Sequence, residues 1–192
     1  ETKFIAANGI NFQVAFAGPE EGEPVFLLHG FPDFWFCWEQ QMKALAAKGF
    51  RVIAPDQRGF NLTDKPDGID AYSQRTLAAD IIGLADALGY QQFNLAGHDF
   101  GGLVFWSLAT LYPQYIKKMV ILAAPHLVAS LQYSKTNVTQ KVKSWYVLFF
   151  QLKALPERIL RAFDYRLLVK NIPKTLYKEE IARYKEDWKQ PN

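Results

Sequence analysis

The chain holds one cysteine, Cys37, two methionines and three histidines in 192 residues. A single thiol excludes an internal disulfide framework and any cysteine-based zinc cluster, and no other metal constellation or cofactor motif is present. Charge of one sign is scarce as well: Lys and Arg number 22 against 19 Asp and Glu, a net +3. That excess is too small to argue for a nucleic-acid partner. No apolar run reaches the ~18–20 residues that span a bilayer, and no signal-peptide pattern opens the chain. A membrane partner is therefore not expected of this segment, and the cytoplasm is the default compartment. The chain opens on Glu1, as a trimmed chain would. What is abundant is apolar and aromatic: 49% hydrophobic and 15% Phe, Trp and Tyr, the composition of a folded globular protein.

The small net charge conceals an asymmetry. Residues 1–134 carry 9 basic and 13 acidic side chains, whereas residues 135–192 carry 13 and 6. Two structural units meeting near residues 125–138 are expected from this shift. The Lys-rich second unit reads as a solvated helical surface.

Periodicity separates the same two regions. Lys3–Ala7 and Ile10–Ala17 flank Asn8-Gly9, a hairpin signal, with Ile10, Phe12, Val14 and Phe16 alternating. From Pro24 the strand pattern changes. Residues 25–28, 52–54, 93–96 and 119–122 are short runs without clean alternation, as expected of strands covered on both faces. Helical spacing lies between them: Trp38, Met42 and Leu45 before Gly49, Leu77 to Leu88 before Gly89, and Leu103 to Leu111 before Pro113. The reading is an α/β fold with a mostly parallel sheet. After Pro125 strand signals vanish. Val142, Trp145, Tyr146, Phe149 and Phe150 follow one helical face; Tyr177, Ile181, Tyr184 and Trp188 follow another; Pro156 and Pro173 read as breaks.

The sharpest chemical signal is Gly97-His98-Asp99-Phe100-Gly101-Gly102, between a buried strand and an amphipathic helix. A strand-to-helix turn this tight lifts one side chain above the sheet at a helix N-terminus, and only glycines fit beside it. Asp99 is thereby a candidate nucleophile, with the Phe100 N–H aimed at it; the plain alternative is a helix cap. A carboxylate needs no base to attack, and its product on an sp³ carbon is an alkyl ester. Water must then attack that ester's carbonyl, so oxyanion donors serve the second step. His29-Gly30-Phe31-Pro32 at the end of an earlier strand offers the Phe31 N–H as the other donor. His29 reads as a brace for this loop rather than as an acid or base.

Together with Asp56-Gln57-Arg58-Gly59-Phe60 and Asp64-Lys65-Pro66, these motifs resemble α/β-hydrolase-fold epoxide hydrolases, the aspartate-nucleophile branch related to haloalkane dehalogenases. The resemblance runs over nearly the whole chain. It implies an α/β-hydrolase core over residues 1–125, with a mostly parallel sheet and an antiparallel N-terminal hairpin, and a helical cap or lid over 126–192. It implies catalytic roles for Asp99 and Tyr146, an oxyanion hole at the Phe31 and Phe100 N–H groups, and no cofactor. Ser144-Trp145-Tyr146 with Phe149-Phe150 resembles the first lid helix, where a tyrosine protonates the epoxide oxygen; taken alone, Tyr146 is one more aromatic on a lid helix. Pro32, Trp35 and Phe149 are candidates for an apolar pocket, which makes a small apolar epoxide the expected substrate.

Three departures bear on this reading. Phe100 stands where relatives usually carry Trp, and Phe has no N–H to hold a halide; haloacetate dehalogenases tend to place Arg there. Asn61 stands where glycine is common. The third is the base: the single His after Asp99 is His126, whereas the resemblance puts the base far beyond the lid, together with its acid. The chain is thus expected to be the N-terminal core plus most of a lid, incomplete at its C-terminus, and alone to alkylate Asp99 at most once. A haloalkane or haloacetate dehalogenase is the competing enzyme. A non-catalytic binding half, paired with the missing part of the fold on another chain, is the competing class.

Overall fold

Two residues, Asn8 and Gly9, turn the chain back on itself with φ of 44° and 77°, joining β1 (Thr2–Ala7) to β2 (Ile10–Ala17) as an antiparallel hairpin. The computed structural model describes residues 1–171 and 178–191. Four further strands follow: β3 (Glu23–Leu28), β4 (Phe50–Pro55), β5 (Phe93–His98) and β6 (Ile116–Leu122). The sheet runs β1-β2-β4-β3-β5-β6; β2 meets β4 antiparallel, and β4, β3, β5 and β6 are mutually parallel. The expected architecture, a mostly parallel sheet with an antiparallel N-terminal hairpin, is borne out.

Both faces of β3 and β4 are covered, which explains their missing alternation. β5 alternates buried with part-buried residues, and β6, expected to be covered twice, is an edge strand and leaves Val120 and Leu122 exposed. In β3, Phe26 and Leu28 enter one core with Leu77, Ile81 and Leu84 of α2 (Gln74–Ala87) and Val104, Phe105 and Leu108 of α3 (Phe100–Leu111). Val25 and Leu27 point the other way, to Trp38 and to Met42 of α1 (Glu39–Ala46). Each such fully buried side chain stabilises the fold by about 1.5–3 kcal/mol relative to exposure.

Strand order fixes where a site can form. From β3 the chain moves to β4 on one side, then crosses through α2 to β5 on the other. The carboxyl ends of β3 and β5 therefore flank the point where the winding reverses, the crevice where open α/β sheets take ligands.

The chain divides into two compact units, residues 1–124 and 125–191. The second contains α4 (Leu127–Thr136), α5 (Val138–Lys143), α6 (Trp145–Phe149), α7 (Leu155–Asn171) and α8 (Lys178–Trp188). One expectation for it changes. The single helical face through Val142 and Phe150 is split at Ser144, whose φ/ψ of −89°/10° takes the chain off the helical ladder. Pro156 stands in the first turn of α7, just after the break that follows α6, as expected; its missing N–H has no partner to lose there. A further break comes at Ala162–Tyr165, where no proline or glycine marks it. There the Tyr165 hydroxyl donates to the Trp188 carbonyl at 3.1 Å, and the two rings stand 5.6 Å apart. Pro173 and Tyr177 lie outside the described residues. Among the described residues, no helix is long and apolar enough to cross a membrane.

Candidate active site

β5 ends at His98, and the next residue takes φ 50° and ψ −116° before α3 begins. That residue is Asp99. A non-glycine residue here is strained and is held by its surroundings. Its N–H donates to the Leu122 carbonyl at 2.9 Å, and its own carbonyl accepts from Leu103 at 3.1 Å. The glycines around it are required by contact. A Cβ on Gly101 would lie 2.5 Å from the Leu28 carbonyl oxygen and 2.7 Å from that of His29, so a side chain would push α3 off β3. A Cβ on Gly30 would lie 2.6 Å from the Asp99 Cβ, inside the space the carboxylate occupies.

Although Asp99 sits at the N-cap position, its side chain makes no capping hydrogen bond. Its Oδ1 accepts instead from the Phe31 N–H, 3.2 Å away on the loop after β3. The carboxylate is thus turned from the helix toward the crevice. Phe100 is the first residue of α3, so its N–H has no carbonyl within the helix to meet.

The loop that carries Phe31 is pinned from three sides. The Gly30 carbonyl accepts from the Asp33 N–H at 2.9 Å. The Trp35 N–H donates to the buried Asp56 at 2.8 Å. The His29 carbonyl accepts from the Gly101 N–H at 3.1 Å and from Gln57 Nε2 at 2.6 Å. His29 itself is fully buried, with its ring against Phe60 at 4.8 Å. Burial pushes its pKa down to about 4, opposed in part by its bond to the Gly30 carbonyl. Asp56 Oδ1 comes within 3.8 Å of Nε2, but this is no ion pair, because that nitrogen already accepts from the Gln57 N–H at 3.1 Å. The ring is neutral and holds the loop.

Phe31, Pro32, Asp99 and Phe100 thus meet at the ends of β3 and β5. Trp35 follows on the same loop, where its ring packs on the α1-side core and edge-on to Phe36 at 6.1 Å. Tyr146 and Phe149 lie on α6 of the second unit, in an aromatic cluster with Trp145 and Phe150; Tyr146 is about half exposed. His126, exposed, precedes α4.

Two features escape a motif reading. Asn61 has φ 46° and bridges Asp56 Oδ2 at 2.9 Å and Gln13 Oε1 at 3.0 Å. A position open to glycine is one that Asn also tolerates, and here its amide adds two bonds. Arg58 forms a buried fork on Asp80, with Nε to Oδ2 at 2.7 Å and Nη2 to Oδ1 at 2.6 Å, and Asn8 Nδ2 donates to the same carboxylate. The fork holds the Arg58 pKa above its usual range. The signal was Asp80 itself, an acid on the apolar face of α2 beside Leu77, Ile81 and Leu84, where a buried carboxylate demands a partner.

The family model for the alpha/beta hydrolase fold matches residues 23–166. The chain belongs to that family. The AB hydrolase superfamily protein YfhM of Bacillus subtilis is 45% identical to it over 98% of this chain and 68% of that protein. Epoxide hydrolase 1 of Caenorhabditis elegans is 34% identical over 88% of this chain but only 41% of its own length. A crystal structure of a Bacillus megaterium epoxide hydrolase in complex with an inhibitor superposes with a TM-score of 0.91 at 30% identity, covering 97% of this chain and 66% of the other. The chain therefore spans between two fifths and about two thirds of these relatives. The resemblance to epoxide hydrolases is borne out.

Proposed function

We propose that the whole protein is an epoxide hydrolase-like hydrolase, which opens an epoxide to a diol through an ester on Asp99. The observation that carries this reading is the turn of the Asp99 carboxylate away from its helix and onto the Phe31 N–H. The names of the relatives support it.

In this reading a carboxylate oxygen of Asp99 attacks an epoxide carbon. The C–O bond breaks, and the leaving oxygen takes the hydroxyl proton of Tyr146, because an alkoxide leaves poorly unless protonated. Water then adds to the carbonyl carbon of the ester. The oxyanion sits against the Phe31 and Phe100 N–H groups, then collapses to release the diol and restore the carboxylate. The proton of that water goes to a His–acid pair that the reading takes from outside these 192 residues, and is returned to the Tyr146 phenolate, which restores the acid for the next turnover. Pro32, Trp35 and Phe149 contribute to an apolar substrate pocket. The Phe100 side chain offers no donor to a departing halide, which sets epoxides ahead of haloalkanes.

The test is Asp99→Asn in the whole protein, assayed for diol from an aryl epoxide. Diol formation is expected to disappear, and wild-type enzyme quenched in turnover is expected to carry the epoxide's mass on the Asp99 peptide. Undiminished diol formation by the variant would overturn the reading.

A further inference from the structure

The aim of one N–H group decides how well an Asp99 ester is hydrolysed, and that aim is set from behind. The Phe31 N–H and the Gly30 C=O belong to one peptide unit. A peptide unit is planar and rigid, so whatever holds its carbonyl aims its N–H. The Gly30 carbonyl is held by His29 Nδ1 at 3.0 Å and by the Asp33 N–H at 2.9 Å. From the other edge of the plane, the Phe31 N–H reaches Asp99 Oδ1 at 3.2 Å.

His29 Nδ1 donates to that carbonyl only if it carries the proton of the ring. Gln57 determines this. Its backbone N–H donates to His29 Nε2 at 3.1 Å, so Nε2 keeps its lone pair and the proton stays on Nδ1. The Gln57 side chain then fixes the other end of the same residue, donating to the His29 carbonyl at 2.6 Å beside the Gly101 N–H. One residue of the β4 loop thus holds His29 at ring and backbone, and both residues are buried.

We propose that His29, locked in its Nδ1–H tautomer by Gln57, is a positioning residue that aims the Phe31 N–H at the oxyanion of the Asp99 ester. This rests on the aspartyl-ester reading above and deepens it. The two residues touch neither substrate nor reacting atoms. They act on the second half-reaction, where the oxyanion forms; for the attack, Asp99 is held as well by its own backbone bonds to Leu122 and Leu103.

The experiment uses the whole protein with styrene oxide as probe. Rapid quenching and intact mass follow the Asp99 ester, and steady-state turnover gives kcat and KM. His29→Leu removes donor and acceptor together; it is expected to slow ester hydrolysis about 100-fold while ester formation keeps its rate. With hydrolysis limiting, kcat and KM fall together and kcat/KM holds. His29→Asn, whose amide N–H replaces the Nδ1–H donor, is expected to recover most of that loss. Gln57→Leu keeps the backbone N–H and loses only the side-chain bond to His29. It is expected to slow hydrolysis about 10-fold, and it serves where Leu at position 29 does not fold. A fall in kcat/KM at constant KM in Gln57→Leu would overturn the proposal, as would Asn at position 29 doing no better than Leu. Ester that forms and hydrolyses at wild-type rates in every variant would refute the positioning role alone. Diol formation by the wild type with no ester on Asp99 would instead refute the reading on which it rests.

Discussion

His29 makes a measurable link between acidity and stability. In the unfolded chain its imidazole titrates near the ordinary 6.5, whereas in the folded protein burial holds its pKa down to about 4. Between those values the unfolded state binds a proton that the folded state refuses. Folding stability therefore falls as pH drops from about 6.5 toward 4, and is fully present above 6.5. A gap of about 2.5 pKa values at 1.36 kcal/mol each corresponds to about 3 kcal/mol. The appropriate control is His29→Asn, which keeps a donor toward the Gly30 carbonyl but cannot titrate. Urea unfolding followed by tryptophan fluorescence, in steps from pH 7.5 to 4.5, gives stability for both proteins. At pH 7.5 the variant is expected to be less stable by about 1–3 kcal/mol, because the Gln57 N–H loses its acceptor. That deficit is expected to shrink as pH falls, approaching a rate of about 1.4 kcal/mol per pH unit. Carboxylates elsewhere titrate in both proteins and cancel in the difference. Parallel pH profiles would refute the buried neutral imidazole, and a deficit that widens in acid would mean that the ring is protonated in the fold.

Other consequences are as direct. Gly101→Ala places a methyl 2.5 Å from the Leu28 carbonyl oxygen, and a loss of about 3 kcal/mol in chemical denaturation is expected. Asp80→Ala strands a buried guanidinium and is expected to cost about 3–5 kcal/mol. The double change Arg58→Met with Asp80→Leu is expected to recover most of that, since no buried charge remains; failure to recover would mean that the fork itself specifies the fold. Tyr146→Phe in the whole protein is expected to slow ester formation and leave ester hydrolysis unchanged, read by quenched-flow mass analysis. Slowed hydrolysis with normal alkylation would reject its assigned role.

The core was legible because its physics is local and repetitive. The absence of alternation at residues 25–28 and 52–54 already declares strands covered twice, and Gly49 and Gly89 do adopt the positive φ that ends a helix. Asp99 was legible because close packing permits only glycine at Gly97 and Gly101, and that leaves a pattern in the sequence. Long-range pairing left less. Nothing within a few residues of Arg58 announces Asp80, and Asn61 looked like a harmless replacement until its amide met Asp56 and Gln13. The second unit was harder still. The break in α7 coincides with the Tyr165 contact to Trp188, 23 positions away in the chain, and a helical period cannot register such a contact.

Asp99 ties three parts of the first unit together: its N–H to the end of β6, its carbonyl to α3, and its carboxylate to the loop after β3. Any opening that frees the Leu103 or Phe31 amide to solvent therefore breaks a bond to Asp99 as well. Amide hydrogen exchange at those two positions, measured with no substrate present, would report how often the reactive geometry dissolves and reforms. In this molecule the breathing of the fold and the readiness of the site are one equilibrium.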